Sequence, residues 1–238
     1  MTALVIGAGD ALGSAIARRA ARGGLAVAAA RRNGASLAPL VDEIAVFGGI
    51  ARGFGCDARD EDAVIALFDT VEAEMGPLEF VVFNVGANVN FPVTETTARV
   101  YRKVWEMAAF AGFLTGREAA RRMAPRGCGT VIFTGATASL RGGKGFSAFS
   151  GAKFALRALA QSMARELGPA GIHVAHTIID GAIDTAWIAE NFPDRYALKA
   201  EDGILNPDSI AEAYWQLHCQ PRDAWTHELD LRPWMESW

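Results

Sequence analysis

Three cysteines are scattered over 238 residues, at Cys56, Cys128 and Cys219. An odd number at such distances supplies neither a disulfide framework nor the paired spacing of a zinc site, and a reducing cytoplasm is the expected compartment. Tyrosine is equally scarce, at Tyr101, Tyr196 and Tyr214, so few phenols are available for acid–base work. There is no excess of positive charge: 23 Lys and Arg stand against 27 Asp and Glu. That balance argues against nucleic acid or an anionic membrane as partner. No apolar run approaches the ~20 residues of a membrane span, and the N-terminus enters a strand pattern without a charged leader. Repeats, low-complexity tracts and linkers are missing too. Residues 1–238 are therefore read as one domain.

What the sequence has is alternation. Apolar runs at residues 3–6, 25–30, 50–56, 80–84, 130–134 and 173–179 read as strands, with a last short one at 228–231. Helical patterns fall between them at 11–22, 36–46, 61–74, about 97–123 and about 149–167, with another at 207–219. Residues 184–203 read as irregular or helical. Strands apolar on both faces, separated by helices, imply a parallel sheet with crossovers. The expected fold is a single doubly wound, Rossmann-like α/β domain with helices on both faces.

The first strand runs into Gly7-Ala8-Gly9-Asp10-Ala11-Leu12-Gly13 and then into a helix. At that junction Gly7 permits a tight turn, Gly9 allows close approach of a pyrophosphate, and Gly13 lets the helix pack closely. The helix N-terminus offers N–H groups to phosphate. Arg31 and Arg32 follow the second strand, where a carboxylate would suit the ribose of NAD and an arginine a 2′-phosphate. A solvated loop is the plainer reading of the same pair, and Asp10 weighs against a phosphate nearby. Asp57 and Ala58, at the end of the third strand, are placed to meet the adenine edge; Asp57 also reads as a turn cap.

These features, with Asn84-Val85-Gly86-Ala87, Ala152-Lys153-Phe154-Ala155-Leu156, Leu167-Gly168-Pro169-Ala170-Gly171-Ile172 and Asp180-Gly181-Ala182-Ile183-Asp184-Thr185, resemble the short-chain dehydrogenase/reductase family over nearly the whole chain. Ala11 stands where the family has the middle glycine of its turn, and Asp180 where it has a proline. The resemblance implies a nicotinamide dinucleotide, NADP(H) favoured and NAD(H) the alternative, contacted by Gly7, Gly9, Asp10, Leu12, Gly13, Arg31, Arg32, Asp57, Ala58, Asn84, Val85, Gly86, Lys153, Gly181, Ile183 and Thr185. It also implies a segment at about 184–206 folded over a small-molecule substrate.

The family works with an Asn, a Ser, a Tyr and a Lys. Carried over by register, the Lys is Lys153, but the Tyr is Phe149, the Ser is Ala136 and the Asn is Ala109. Phe149 lacks the one hydroxyl that would titrate. Hydroxyls remain nearby at Thr137, Ser139 and Ser150, and a slip of one residue puts Thr137 in the Ser role; Tyr196 is a further donor candidate, with a surface loop as its plainer reading. His176 reads as a strand side chain. Two readings follow: an oxidoreductase acting on a carbonyl/alcohol pair or an activated double bond with a non-standard proton donor, or a dinucleotide-binding sensor or scaffold without turnover. The long helix and the one after it pair between subunits in this family, which implies a homodimer or homotetramer. The tail at 225–238 carries Trp225, Trp234 and Trp238, and its aromatic content predicts packing at an interface or near a pocket.

Overall fold

A computed structural model describes residues 1–237 of the chain. The strands are β1 (Thr2–Ile6), β2 (Ala26–Arg31), β3 (Ala51–Gly55), β4 (Leu78–Phe83), β5 (Thr130–Thr134), β6 (His173–Ile179) and β7 (Glu228–Leu231). They form one seven-stranded sheet in the order β3-β2-β1-β4-β5-β6-β7, and every pairing is parallel. The helices are α1 (Leu12–Arg22), α2 (Ala38–Val46), α3 (Glu61–Met75), α4 (Ala98–Trp105), α5 (Ala111–Met123), α6 (Ser147–Leu167), α7 (Ala186–Asn191), α8 (Pro193–Ala197) and α9 (Pro207–His218). This is the Rossmann-like architecture expected from the alternation. No helix among the described residues is long and apolar enough to cross a membrane.

Successive side chains of each strand go to opposite faces of the sheet. Leu4 and Ile6 join an apolar layer with Phe68, Phe83, Leu114, Phe133 and Leu156 under α3, α5 and α6. Ala3 and Val5 join the other layer with Ile16, Val27, Phe80, Tyr214 and Leu217 under α1 and α9. The edge strand β3, Ala-Arg-Gly-Phe-Gly, is the most exposed, as an edge carrying charge and glycine can be. Local signals start the helices. Asp60 accepts the Ala63 N–H and Thr97 the Val100 N–H, satisfying donors that the first turn leaves open. At the end of α1, a Cβ on Gly23 would lie 2.1 Å from the Trp215 ring, so glycine is what lets α1 and α9 meet there.

Several boundaries differ from the sequence reading, these three among them. The helix over 97–123 is broken by a π-helical turn, Glu106–Phe110, which no apolar period announces. A 3-10 turn at Gly34–Leu37 precedes α2, whose Pro lies in the first turn, where its missing N–H costs nothing. β2 runs one residue further, so Arg31 ends the strand instead of following it. The chain leaves β1 toward β2 and β3, then crosses back to β4. That reversal opens a crevice at the carboxyl ends of β1 and β4, where open α/β sheets bind ligands.

Candidate active site

The crevice begins at Gly7. Its φ is +87°, and a Cβ there would sit 2.6 Å from the Asn84 carbonyl oxygen. The Asn84 amide donates to the Gly7 carbonyl at 3.1 Å, which locks the glycine turn onto the end of β4. Gly13 is equally confined, its Cβ position being 2.4 Å from Gly7 O. Gly9 and Gly86 are the opposite case, with no atom within 4 Å of a Cβ; side chains there would project into open space. That space is a cavity of about 730 Å³ lined by Gly7, Gly9, Asp10, Leu12, Gly13, Arg31, Arg32, Asp57, Ala58, Asn84, Val85 and Gly86.

Charge in this cavity is partly committed. Arg31 pairs with Asp10 at 2.8 Å. Arg32 has no ion pair among the described residues and acts on Asp57 through space. The Asp57 carboxylate takes the Arg59 side chain and also its backbone N–H. The Arg59 guanidinium bond brings its pKa down to about 2. Asp57 therefore does close the turn, and it lines the cavity as well.

A second cavity of about 630 Å³ shares Leu12, Asn84, Val85 and Gly86 with the first, so the two make one groove. Lys153, from α6, is 3% exposed. Its Nζ donates to Thr134 O at 2.7 Å and to Val85 O at 3.4 Å. Burial lowers its pKa to about 8. An ammonium has three protons, so one remains for a ligand in the groove. Phe149 lies one turn earlier on the same face. It lines the same cavity, with its ring centroid 5.9 Å from Lys153 Nζ. The ring belongs to an apolar cluster with Ala87, Val104, Ala108, Ala138 and Ala152, against which Ala136 packs. Ala109 is buried in the π turn. The positions read as Tyr, Ser and Asn by register thus carry apolar groups.

The remaining hydroxyls separate. Thr137 lines the cavity, and its hydroxyl donates to Asp180 Oδ1. Ser150 lines it also and donates to Arg141 O at 3.5 Å. Ser139 does not reach it: the side chain is fully buried, and Oγ accepts the Ala136 N–H at 3.1 Å. Its place as a candidate donor is corrected to that of a brace for the loop. Gly181 and Ile183 line the second cavity. Thr185 is not brought to either cavity; its Oγ1 caps α7 by accepting the Ile188 N–H at 3.1 Å. Tyr196 lies on α8, not on a loop, and outside both cavities, with Lys199 donating to its hydroxyl. Tyr214 is fully buried and donates to Thr134 Oγ1 at 3.0 Å. His176 is a buried strand side chain whose Nδ1 lies 3.2 Å from Glu228 Oε1. The residue that sequence reasoning passed over is Asp180, visible only as an acid where the resemblance has proline.

The Lys153 end of the groove is walled by Phe146, Phe149, Trp187, Ile188 and Phe192, with Arg141, Arg195 and Glu236 also lining it. The tail closes one side. Glu236 pairs with Arg195 at 3.1 Å, Trp234 donates to Glu201 O at 2.9 Å, and Pro233 lies against Gly181. Trp238 lies outside the described residues.

An open glycine turn at a helix N-terminus, an arginine pair and an ammonium with one uncommitted proton are groups that fit the phosphates and ribose hydroxyls of a dinucleotide. Similarity points the same way. A (21S)-21-acetoxyl-apo-melianone synthase from Melia azedarach is 31% identical over 69% of this chain, the match spanning 64% of that enzyme. A solved short-chain dehydrogenase from Rhodopseudomonas palustris is 53% identical, covers 98% of each chain and superposes with a TM-score of 0.85. A 7α-hydroxysteroid dehydrogenase, solved with NADH and 7-oxo glycochenodeoxycholic acid, is 25% identical over 97% of this chain and 92% of its own, with a TM-score of 0.88. The family description "short chain dehydrogenase" matches residues 1–195, and the chain belongs to that family.

Proposed function

We propose that this chain is a nicotinamide-dependent oxidoreductase, preferring NADP(H), that acts on a carbonyl/alcohol pair or an activated double bond and uses a proton donor other than the family's tyrosine. The observation that carries the reading is the continuous groove from the glycine turn to Lys153. Gly7, Gly9 and the α1 N-terminus would hold the pyrophosphate, and Lys153 a ribose hydroxyl. Arg32 supports the preference for a 2′-phosphate, since it forms no ion pair among the described residues and meets the Asp57 carboxylate only through space. A bound nicotinamide supplies a hydride acceptor or donor. The walls Phe146, Phe149, Trp187 and Phe192 suit an apolar substrate body, and Arg141, without an ion pair among the described residues, suits a carboxylate on it.

A second reading is favoured by one observation. The Phe149 ring sits in an apolar cluster at the place where the family's acid–base hydroxyls belong, as a binding protein without turnover would tolerate. The exposed aromatics of α4, α5 and α6 support a homo-oligomer, and the cytoplasm suits the free thiols.

Fluorescence titration with NADPH and NADH, on wild type and on Lys153→Ala, tests the reading. Tight NADPH binding that weakens in the variant, together with turnover of cyclic secondary alcohols or ketones, supports the oxidoreductase. Binding without turnover supports the sensor, and no binding of either dinucleotide removes both. Phe149→Tyr adds a further arm: gain of ketone reduction marks a silenced reductase pocket, and loss of an existing activity marks a site adapted to the phenylalanine.

A further inference from the structure

Asp180 lines the substrate cavity and yet is 2% exposed. Its backbone N–H donates to Leu231 O at 2.8 Å, which fixes the end of β6 against the end of β7. One carboxylate oxygen receives the Thr137 hydroxyl; the other faces the Arg232 guanidinium at 3.6 Å. A buried carboxylate is costly unless it is paired and hydrogen-bonded, and here both conditions are met. Thr137 is equally well placed. It opens the turn that follows Ala136, and Ser139 holds that turn by accepting the Ala136 N–H. With its proton directed at Asp180, the Thr137 oxygen keeps its lone pairs for a donor in the cavity, and the carboxylate behind it strengthens that acceptance.

We propose that Thr137 and Asp180 form the proton relay of this site, in place of the absent tyrosine hydroxyl. The inference rests on the oxidoreductase reading and names its donor. In alcohol oxidation the substrate O–H bond breaks and its proton passes to Thr137 Oγ1. In the same event the proton of Thr137 passes to Asp180 Oδ1, because a threonine hydroxyl is too weak an acid to ionise alone. A nicotinamide held by Gly7, Gly9 and Lys153 would supply the acceptor for the hydride that leaves the substrate carbon, which becomes the carbonyl. Asp180 is left as a neutral carboxyl and later loses its proton to solvent. Ketone reduction is the same step reversed, with Asp180 resupplied from solvent. Thr137 touches the substrate and is the catalytic residue; Asp180 acts through it.

The test compares wild type with Asp180→Asn and Thr137→Val, both near-isosteric, using NADP⁺ and a panel of cyclic secondary alcohols. The readouts are kcat, KM, the solvent deuterium isotope effect, NADPH affinity by fluorescence, and melting temperature. The relay predicts a kcat loss of ~10²–10⁴ in each variant, with KM, NADPH affinity and melting temperature held. It predicts that Thr137→Ser retains more kcat than Thr137→Val. It also predicts that Phe149→Tyr raises kcat by a larger factor on the Asp180→Asn background than on wild type, whereas a structural role for Asp180 makes the two gains equal. Unchanged kcat in both variants overturns the relay alone. So does a kcat loss accompanied by lost NADPH affinity or a lowered melting temperature and equal gains from Phe149→Tyr, which would make Asp180 a tail anchor. A wild type that binds no dinucleotide, or that binds NADPH but turns over no alcohol of the panel, overturns the underlying oxidoreductase reading and the relay with it.

Discussion

Lys153 Nζ donates to the Thr134 carbonyl at 2.7 Å from inside the protein. The carbonyl satisfies the ammonium but carries no compensating charge, and burial brings the lysine to about 8. Its positive charge is thus present at neutral pH and lost over an ordinary alkaline range. A cation near a forming alkoxide favours ketone reduction, so kcat/KM for reduction should fall as pH rises through about 8. Lys153→Met should remove that limb and lower kcat/KM at pH 7. The pH–rate profiles of the two proteins check this.

Asp10 and Arg31 form an exposed pair, and Arg32 beside them makes no ion pair among the described residues. If Arg32 meets a 2′-phosphate, losing it removes a charge-assisted bond of about 1.5–3 kcal/mol. Arg32→Ala should therefore weaken NADPH binding roughly tenfold to a hundredfold while leaving NADH nearly unchanged. Asp10→Asn should strengthen NADPH binding by releasing Arg31 and removing a like charge from the phosphate. Both effects should shrink in high salt. Titration of each variant with both dinucleotides decides it.

The sheet and its order of elements were legible because buried parallel strands spell themselves as apolar runs and helices as periods. The glycine turn was legible because Gly7 and Gly13 answer to backbone contacts that no other residue permits. The π turn at Glu106–Phe110 was not, since one extra residue in a helix leaves the apolar stripe intact on both sides. Ser139 misled for a different reason. Its hydroxyl lies next to the site in sequence, but a backbone N–H claims it, and sequence distance cannot distinguish a brace from a donor. Asp180 and Thr137 are 43 positions apart, and only the β5–β6 pairing brings their neighbourhoods together.

His176 is fully buried against Glu228, and Glu228 is held by a two-pronged bond from Arg157. Burial lowers the histidine to about 4, so it is neutral in the folded protein where the unfolded chain binds a proton. Between the unfolded value of 6.5 and about 4, the unfolded state holds more protons, and stability is lost as pH falls through that window. Glu228 is lowered through Arg157 and His176 despite its burial, and it adds to the loss below its ordinary 4.5. His176→Asn should flatten the decline of melting temperature between pH 6.5 and 4.5, even if the variant is less stable at pH 7. Thermal denaturation across that range measures it.

Trp105 stacks on Phe110 with ring centroids 6.0 Å apart, and Phe110 on Phe113 at 6.3 Å. Tyr101, Trp105, Phe113 and Phe154 are each exposed, although they stand on α4, α5 and α6, the three helices that flank the site. Tyr101 reaches across to α6, where a Cβ on Gly151 would lie 2.8 Å from its hydroxyl. Contiguous aromatic surface of this kind marks a protein interface, and helices displaying it pair with a second copy of the same face. The chain should therefore sediment as a dimer or tetramer, with a melting temperature that rises with protein concentration. Replacing Phe113 and Phe154 by Asp should give a monomer. The double variant should keep its far-ultraviolet circular dichroism, because neither ring belongs to the buried core. Analytical ultracentrifugation of both proteins distinguishes this from a solvated face: a monomeric wild type, or an undisturbed oligomer in the variant, would show that the aromatic stripe is not the contact.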